Sequence, residues 1–197
     1  MTAPRLRTDE EIQAYTLGEL QPLTAPVEIA DYDPAWPALY AREAERIRGV
    51  LGDQVVQLEH AGSTSVPGLP AKPVIDIVLA VPDSRREADY GPPLVEAGYV
   101  LRIREPDWFE HRVFKGPDTN LNLHVFTAGC EEIDRMLAFR DWLRTNEADR
   151  ALYAAKKREL AARPWRFMQH YADAKTEVVL AIMARARGAT RPGGSPS

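Results

Sequence analysis

The chain has 197 residues, a net charge of −4, 45% hydrophobic and 27% charged residues, and a single cysteine. This composition predicts one folded domain of ordinary size and excludes a disordered chain or a disulfide scaffold. The acidic balance argues against a surface built for nucleic acid, and no apolar run reaches the roughly 18 residues of a membrane span. Because Cys130 cannot form an internal disulfide and the N-terminus is not signal-like, we expect a cytoplasmic protein.

Three regions of the chain differ in composition. Residues 1–26 contain three prolines and no sustained periodicity, which predicts an N-terminal extension with a short helix at most. Residues 27–187 carry the periodic segments and form the predicted folded domain. Residues 188–197, with the sequence GATRPGGSPS, have the composition of a disordered tail.

The first half of the predicted domain contains a helix and two strands. Asp33 is a candidate N-cap before Pro34, an apolar stripe follows at helical spacing, and Gly52 ends it. A strand is predicted in QVVQLEHAG, and KPVIDIVLAV predicts a central strand covered on both faces. Asp76 interrupts this apolar run, and a carboxylate there must be paired, neutralised or exposed at a cleft.

The second half changes from strands to helices. A short helix is predicted at 92–97, and strands are predicted in YVLRIREPDW, EHRVFKG and LNLHVFT. Helices are predicted at 131–145, 147–162 and 165–187, with Asn146 as a cap candidate. A mixed sheet followed by helices predicts an α+β (α/β) fold with a C-terminal helical cap.

A loop rich in glycine and hydroxyl side chains joins the two central strands. It contains Gly62, Ser63, Thr64, Ser65 and Lys72. Backbone N–H groups and hydroxyls of such a loop can bind phosphate, and flanking prolines hold Lys72 in an extended backbone beside it. The alternative is a tight turn whose hydroxyls bond local backbone groups, next to a solvated lysine.

The longer pattern resembles that of the GrpB family. The resemblance is carried by EHAGSTSVPGLPAKPVIDI, by YDPAW before it, and by LHVF, FRDWLR and two Tyr-x-x-x-Lys pairs after it. These motifs occur in matching order between residues 27 and 183. The family in turn resembles the nucleotidyltransferase superfamily typified by DNA polymerase β. The resemblance therefore implies a nucleotidyltransferase-like mixed sheet flanked by helices.

The resemblance also implies a site on the loop and on the strand after it. The superfamily places a Gly-Ser pair before a strand with two carboxylates at i and i+2, which hold Mg²⁺, and a third carboxylate on a neighbouring strand. In this chain Gly62 and Ser63 supply the pair, and Asp76 stands at the first carboxylate position. Val78 replaces the second carboxylate. The pattern therefore departs from standard two-metal nucleotidyl transfer.

His124 stands in place of the third carboxylate, and period-two alternation puts Asn120 and Asn122 on its face. The resemblance implies that Asp76 and His124 are catalytic and bind a divalent metal. Glu59, just before the loop, is a further candidate ligand if the end of its strand lies beside them. An Asp and His pair suits Mn²⁺ or Zn²⁺ better than Mg²⁺, which prefers oxygen ligands. Acid–base chemistry without a metal is the alternative.

The C-terminal helices add cations that match the family's pattern. We expect Arg140, Lys157 and Lys175 to lie over the cleft opposite Ser63, where Arg112 from the sheet edge can join them. Such a group would form a positive pocket for a polyphosphate in an otherwise acidic protein. The alternative for these cations is a set of surface salt bridges with glutamates of the same helices.

Two functions from different classes follow. The first is metal-assisted transfer of a nucleoside monophosphate from a nucleoside triphosphate to a small acceptor. The second is a noncatalytic module that binds a nucleotide or another phosphorylated small molecule and has lost the second carboxylate. Either function predicts a phosphorylated small molecule as the partner, with no membrane and no nucleic acid. The identity of the acceptor, the preferred nucleobase, the metal and the oligomeric state are left open by the sequence.

Overall fold

A computed structural model describes residues 5–189, which form seven α-helices and one five-stranded sheet. The helices are α1 (Asp9–Tyr15), α2 (Trp36–Leu51), α3 (Gly91–Glu96), α4 (Glu131–Thr145), α5 (Glu147–Ala161), α6 (Met168–Ala174) and α7 (Thr176–Ala189). The strands are β1 (Gln57–Ala61), β2 (Ile75–Val81), β3 (Val100–Glu105), β4 (His111–Lys115) and β5 (Leu121–Thr127). The predicted α+β fold, a mixed sheet flanked by helices with the last helices following the sheet, is confirmed.

The strand order of the sheet is β1-β2-β5-β4-β3. The central strands β2 and β5 are parallel, and the other neighbouring pairs are antiparallel. The register aligns Asp76 with Asn122 and Val78 with His124. Because side chains at i and i+2 share a face of a sheet, the polar groups of β2 and β5 lie together.

The opposite face of the sheet is the main apolar core. Ile75, Ile77 and Leu79 of β2 are at most 1% exposed and belong to one cluster with side chains of α2 and α3. Ile47 of α2 and Leu94 of α3 are fully buried in the same cluster. The apolar run of β2 thus forms the centre of the core, as its composition predicts.

The C-terminal helices hold the loop between β1 and β2. Val66 and Leu69 of this loop are fully buried against Leu143 of α4, Tyr153 of α5 and Ile182 of α7. Because the helices pack against both Val66 and Leu69, the loop has little freedom to move. It therefore fixes the polar part of the loop relative to the sheet.

Some predicted boundaries differ from the structure. Helix α2 begins at Trp36, because Asp33 accepts a hydrogen bond from the Ala35 N–H at 2.8 Å and caps the turn before the helix. The predicted helix at 165–187 is divided into α6 and α7, with Lys175 between them. The predicted cap at Asn146 is confirmed, since its side chain accepts from the Asp149 N–H at 2.9 Å.

The N-terminal segment packs on the folded domain. Its short helix α1 precedes Leu17, whose N–H donates to the Arg102 carbonyl of β3 at 2.8 Å. Farther along, the Leu23 N–H donates to the Arg166 carbonyl at 2.8 Å. At the other end α7 extends to Ala189, and residues 190–197 of the predicted tail lie outside the described residues. Between residues 5 and 189 every helix is too short or too polar to cross a membrane.

Candidate functional site

A cleft of about 550 Å³ opens over the polar face of the sheet. Asp76 of β2 with Asn122 and His124 of β5 form its floor. The loop before β2, the helices α5 and α6, and the N-terminal segment contribute to its walls. We call this the lysine cleft, defined by Ser63, Lys72, Asp76, Lys115, His124, Lys157 and Lys175. The predicted catalytic pair, Ser63 and Thr64 of the loop, and three predicted lysines therefore lie in one place.

The Asp76 carboxylate is held by neighbours on β5. Its Oδ1 accepts a hydrogen bond from the Asn122 side-chain amide at 2.7 Å, and His124 Nε2 lies 3.6 Å from the same oxygen. Burial opposes ionisation of this carboxyl, but its polar neighbours, among them the Asn122 amide and the Lys72 ammonium, outweigh burial and lower the pKa of Asp76. Asp76 is therefore ionised at neutral pH, with its side chain 28% exposed to the cleft.

Gly62 brings the loop into direct contact with Asp76. A Cβ atom at Gly62 would lie 2.3 Å from Oδ2 of Asp76, and the φ angle of Gly62 is +65°. Only glycine fits both the space and the backbone conformation. The Thr64 hydroxyl donates to the Val74 carbonyl at 3.3 Å, and the Ser65 hydroxyl donates to the Gly62 carbonyl at 2.6 Å. These two hydroxyls therefore support the turn, while Ser63 lines the cleft.

Lysines surround the floor: Lys157 is buried, and Lys72 and Lys175 are half-buried. Burial, with a smaller contribution from the Lys175 ammonium, lowers the pKa of Lys72 to about 8 and that of Lys157 to about 7. Burial also lowers the pKa of Lys175, against the attraction of Asp76. The Lys157 ammonium donates to the Pro70 carbonyl and lies 4.9 Å from the centre of the Tyr153 ring. These lysines are thus crowded and poorly hydrated.

Few negative charges compensate the lysines. Within residues 5–189, none of the ammonium groups of Lys72, Lys157 and Lys175 forms an ion pair within 4.0 Å. The Lys72 ammonium instead lies 2.9 Å from the Met168 sulfur. In the same wall the buried Tyr171 hydroxyl has no hydrogen-bond partner among the described residues. The cleft therefore presents hydrogen-bond donors that the described protein groups do not satisfy.

Glu59 and Arg140 lie outside the lysine cleft. They form an ion pair at 2.9 Å, and Arg140 also donates to the His60 carbonyl at 3.0 Å. Both line a second cleft of about 630 Å³, which Arg144 and Arg150 also line. We call this the arginine cleft. The structure therefore does not bring Glu59 to Asp76, and Arg140 does not face the same cleft as the lysines.

Arg112 lies on the apolar side of the sheet. It aligns with Val125 of β5, whereas its neighbour Val113 aligns with His124. Its guanidinium is buried and contacts the carboxylates of Glu87 at 3.0 Å and Glu110 at 3.3 Å. The strand alternation thus turns Arg112 away from the polyphosphate pocket that it was expected to join.

The sequence interpretation missed His111, Glu105 and Lys115. His111 and Lys115 lie two residues on either side of Val113, which is aligned with His124, so they share its face of the sheet. Glu105 is aligned with His111 and lies on the same face. His111 is only 4% exposed, although charged residues flank it in the sequence. Lys115 donates to the Asn122 side-chain oxygen at 2.5 Å. The alternation of residues around Val113 shows in the sequence that His111 and Lys115 share one face of β4. Which face of the sheet that is follows only from the pairing of β4 with β5.

The donor set does not fit a metal ion held by the protein alone. Within residues 5–189 no group of three His, Cys, Asp or Glu side chains is arranged to hold one. Asp76 and His124 are two candidate donors, whereas the side-chain oxygen of Asn122 accepts from Lys115. Nearby ammonium groups also repel a cation. The chemistry available to the described residues is therefore anion binding and proton transfer.

Comparisons with known proteins identify the family. The family model described as GrpB protein matches residues 26–185. A UPF0157 protein of Halalkalibacterium halodurans is 63% identical over 180 residues, which cover 91% of this chain and 92% of that protein. The crystal structure of conserved protein GrpB from Enterococcus faecalis has a TM-score of 0.72 and 30% identity, covering 82% of this chain and 98% of that one.

A longer relative also matches. The dephospho-CoA kinase of Mycolicibacterium paratuberculosis is 30% identical over 176 residues, which cover 76% of this chain but 43% of that protein. The chain thus spans less than half of this kinase, and the match does not assign the kinase activity to the shared part. The model of the family, by contrast, covers most of the residues that build the lysine cleft. The chain therefore belongs to the GrpB family.

Proposed function

We propose that the lysine cleft binds the phosphate groups of a nucleotide or of another phosphorylated small molecule. One observation carries the proposal: Lys72, Lys157 and Lys175 converge on the cleft without forming ion pairs within residues 5–189. Keeping ammonium groups crowded and partly desolvated costs free energy. A polyphosphate would offset this cost by accepting charge-assisted hydrogen bonds, and the Tyr171 hydroxyl adds a further donor.

Nucleotidyl transfer is the reaction that we propose for this site. An acceptor hydroxyl oxygen forms a bond to the α-phosphorus of a nucleoside triphosphate, and the bond from that phosphorus to the pyrophosphate oxygen breaks. The hydroxyl proton passes to His124 Nε2, and Asp76, 3.6 Å away, stabilises the resulting imidazolium. Lys72, Lys157 and Lys175 neutralise the charge of the departing pyrophosphate.

A divalent metal remains part of the proposal only as an ion that enters with the nucleotide. Mg²⁺ is commonly held by one or two carboxylates together with substrate phosphates, and Mn²⁺ and Zn²⁺ also accept an imidazole. Asp76 is the residue that would contact it in this reaction, because His124 Nε2 accepts the hydroxyl proton; without that acid–base role, His124 would be the second contact. We leave Glu59, Arg140 and Arg112 out of the proposed site, because other carboxylates or guanidinium groups pair with them elsewhere.

A noncatalytic phosphate-binding module is the second candidate. The observation that favours it is Asn122, whose uncharged amide stands next to Asp76 on the cleft floor. With one carboxylate in place of two, the floor is suited to bind anions more than to assemble metal ions. This module would use the same lysines and need neither a metal nor an acceptor.

Calorimetric titration separates these candidates. ATP, the other nucleoside triphosphates, tripolyphosphate and dephospho-CoA are titrated with Mg²⁺, Mn²⁺, Zn²⁺ or no metal into the wild type, Asp76→Ala and Lys72→Gln. Binding that requires a metal and is lost in Asp76→Ala supports the enzyme, and release of pyrophosphate in ³¹P NMR then identifies turnover. Metal-independent binding that is lost only in Lys72→Gln supports the module. If no compound binds under any condition, both candidates fail.

A further inference from the structure

His111 contacts His124 on the side away from Asp76, and Glu105 in turn contacts His111. His124 Nδ1 lies 3.0 Å from His111 Nε2, and His111 Nδ1 lies 2.7 Å from a carboxylate oxygen of Glu105. Glu105 and His111 are aligned across β3 and β4. Asp76, His124, His111 and Glu105 therefore form a continuous line across the polar face of the sheet, from β2 to β3. Only the contact between Asp76 and His124, at 3.6 Å, is longer than a hydrogen bond.

The hydrogen-bond partners determine where the protons of this line lie. A carboxylate only accepts, so the short contact with Glu105 places a proton on Nδ1 of His111. His111 is 4% exposed and its ring is enclosed by Phe126 and Trp108, and such burial favours the neutral form of an imidazole. Nε2 of His111 then accepts a hydrogen bond from the Nδ1–H group of His124. A neutral His124 is left with a free electron pair on Nε2, the atom that faces Asp76.

Aromatic packing fixes the orientation of His111. Its ring stacks on Phe126 with centroids 4.6 Å apart and an angle of 15° between the planes. The edge of Trp108 meets it at 5.1 Å and 84°. A ring enclosed in this way cannot rotate freely to exchange its two nitrogens. The direction of the hydrogen bond to His124 is therefore set by packing as well as by Glu105.

The Glu105 carboxylate is held from two sides. Arg7 of the N-terminal segment approaches its second oxygen at 3.5 Å. The turn from Glu105 to His111 contains Phe109 at φ 54° and Glu110 at φ 51°, a conformation that side chains other than glycine rarely adopt. Strain of this kind persists only where the surrounding structure enforces it. Here the turn reverses the direction of the chain, so that His111 is aligned directly with Glu105.

We propose that Glu105 and His111 are positioning residues that hold His124 in the tautomer whose Nε2 accepts a proton beside Asp76. When Nε2 takes a proton from an acceptor hydroxyl, the N–H bond forms as the O–H bond breaks. The imidazolium can then donate to the Asp76 carboxylate. The consequence for catalysis rests on the proposed function, whereas the tautomer is a property of the free protein. Partners of this kind orient histidines in many active sites.

Nitrogen NMR of the full chain tests the tautomer directly. Long-range ¹H–¹⁵N spectra near neutral pH distinguish protonated from unprotonated imidazole nitrogens, and His124→Gln assigns the signals. We expect His124 to carry its proton on Nδ1 and none on Nε2. In Glu105→Gln the new amide can donate to His111 Nδ1, so the tautomers invert and His124 Nε2 gains a proton. Glu110→Gln, in the same turn, is the matched control and should leave the spectrum unchanged.

Two results would overturn the inference: a protonated His124 Nε2 in the neutral wild-type protein, or a wild-type His124 pattern in Glu105→Gln. The wild-type spectrum tests the tautomer of His124 even if Glu105→Gln does not fold. If nucleotidyl transfer is found, Glu105→Gln should lower kcat about 10- to 100-fold and change KM for the triphosphate little. The expected tautomer without any nucleotide binding would contradict the proposed function and leave the positioning of His124 intact.

Discussion

The two faces of strand β2 differ in chemistry although their residues alternate along one segment. Ile75, Ile77 and Leu79 point into the apolar core and are at most 1% exposed, whereas Asp76 between them faces the lysine cleft. The apolar face gains free energy from burial, about 25 cal/mol per Å². The polar face instead lies under several half-buried or buried lysines, and the desolvation of their ammonium groups destabilises the fold. One strand therefore serves both as the centre of the apolar core and as the floor of the lysine cleft.

Removal of apolar volume should have the largest effect. Ile77→Ala opens a cavity in the fully buried core and should lower the free energy of unfolding by about 2–5 kcal/mol. Ligand binding per folded molecule should stay unchanged, because Ile77 faces away from the cleft. Urea denaturation measures the stability, and Val95→Ala, at an exposed position, is the control. A loss below about 0.5 kcal/mol would contradict the assignment of this face as the core.

Gly62→Ala should lower both the stability of the protein and its ligand binding. The new Cβ would meet Asp76 Oδ2 at 2.3 Å, and alanine disfavours the φ of +65°. We expect a loss of about 3 kcal/mol from the strain and overpacking, together with weaker ligand binding as Asp76 is displaced. Gly188→Ala, where a Cβ meets nothing within 4 Å, is the matched control. Wild-type stability and binding in Gly62→Ala would show that the loop does not constrain Asp76.

Lys157 should make stability depend on pH. Its pKa falls from 10.5 in the unfolded chain to about 7 in the fold. Between these values the unfolded chain binds more protons, so the free energy of unfolding should rise with pH from about 7 to about 10. Lys157→Met should reduce this rise and stabilise the protein at neutral pH by about 2 kcal/mol. Denaturation curves at several pH values measure the effect, and an unchanged pH dependence would contradict it.

Arg140→Gln should have the smallest effect. Arg140 pairs with Glu59 and with the half-exposed Asp141, and such partly solvated ion pairs contribute little. We expect a loss of about 1 kcal/mol in urea denaturation, including the hydrogen bond to the His60 carbonyl. Arg86→Gln, at a more exposed ion pair, is the comparison variant. A loss larger than that of Ile77→Ala would show that the charged groups, and not the apolar face, dominate stability.

Local patterns in the sequence predicted the parts of the site that lie on the two central strands. The apolar run around Asp76 indicated a buried strand, and alternation put Asn122 on the face of His124. The two Tyr-x-x-x-Lys pairs predicted lysines on one side of each helix, and Lys157 and Lys175 do line the cleft. For Asn122 and Lys157 the spacing within one element was sufficient, whereas Lys175 lies between α6 and α7, and its place over the cleft was expected from the family resemblance.

Contacts between distant segments could not be predicted in this way. Arg112 lies in a strand with charges on both faces, and its partner Glu87 comes from a turn far away in the chain. Glu59 is close to the loop in sequence, yet Arg140 of α4 draws it into the arginine cleft. Charged residues flank His111 in the sequence, and the pairing of β4 with β5 places it on the buried part of the polar face. These outcomes depend on tertiary packing.

Titration of ATP into Lys72→Gln and Arg140→Gln tests the central claim most directly, because both variants remove one cation and leave an amide. If the lysine cleft is the phosphate site, Lys72→Gln should weaken binding at least about tenfold, or ~1.4 kcal/mol, and Arg140→Gln should bind like the wild type. Equal losses in both variants, or a loss confined to Arg140→Gln, would contradict the claim that the lysine face carries the function.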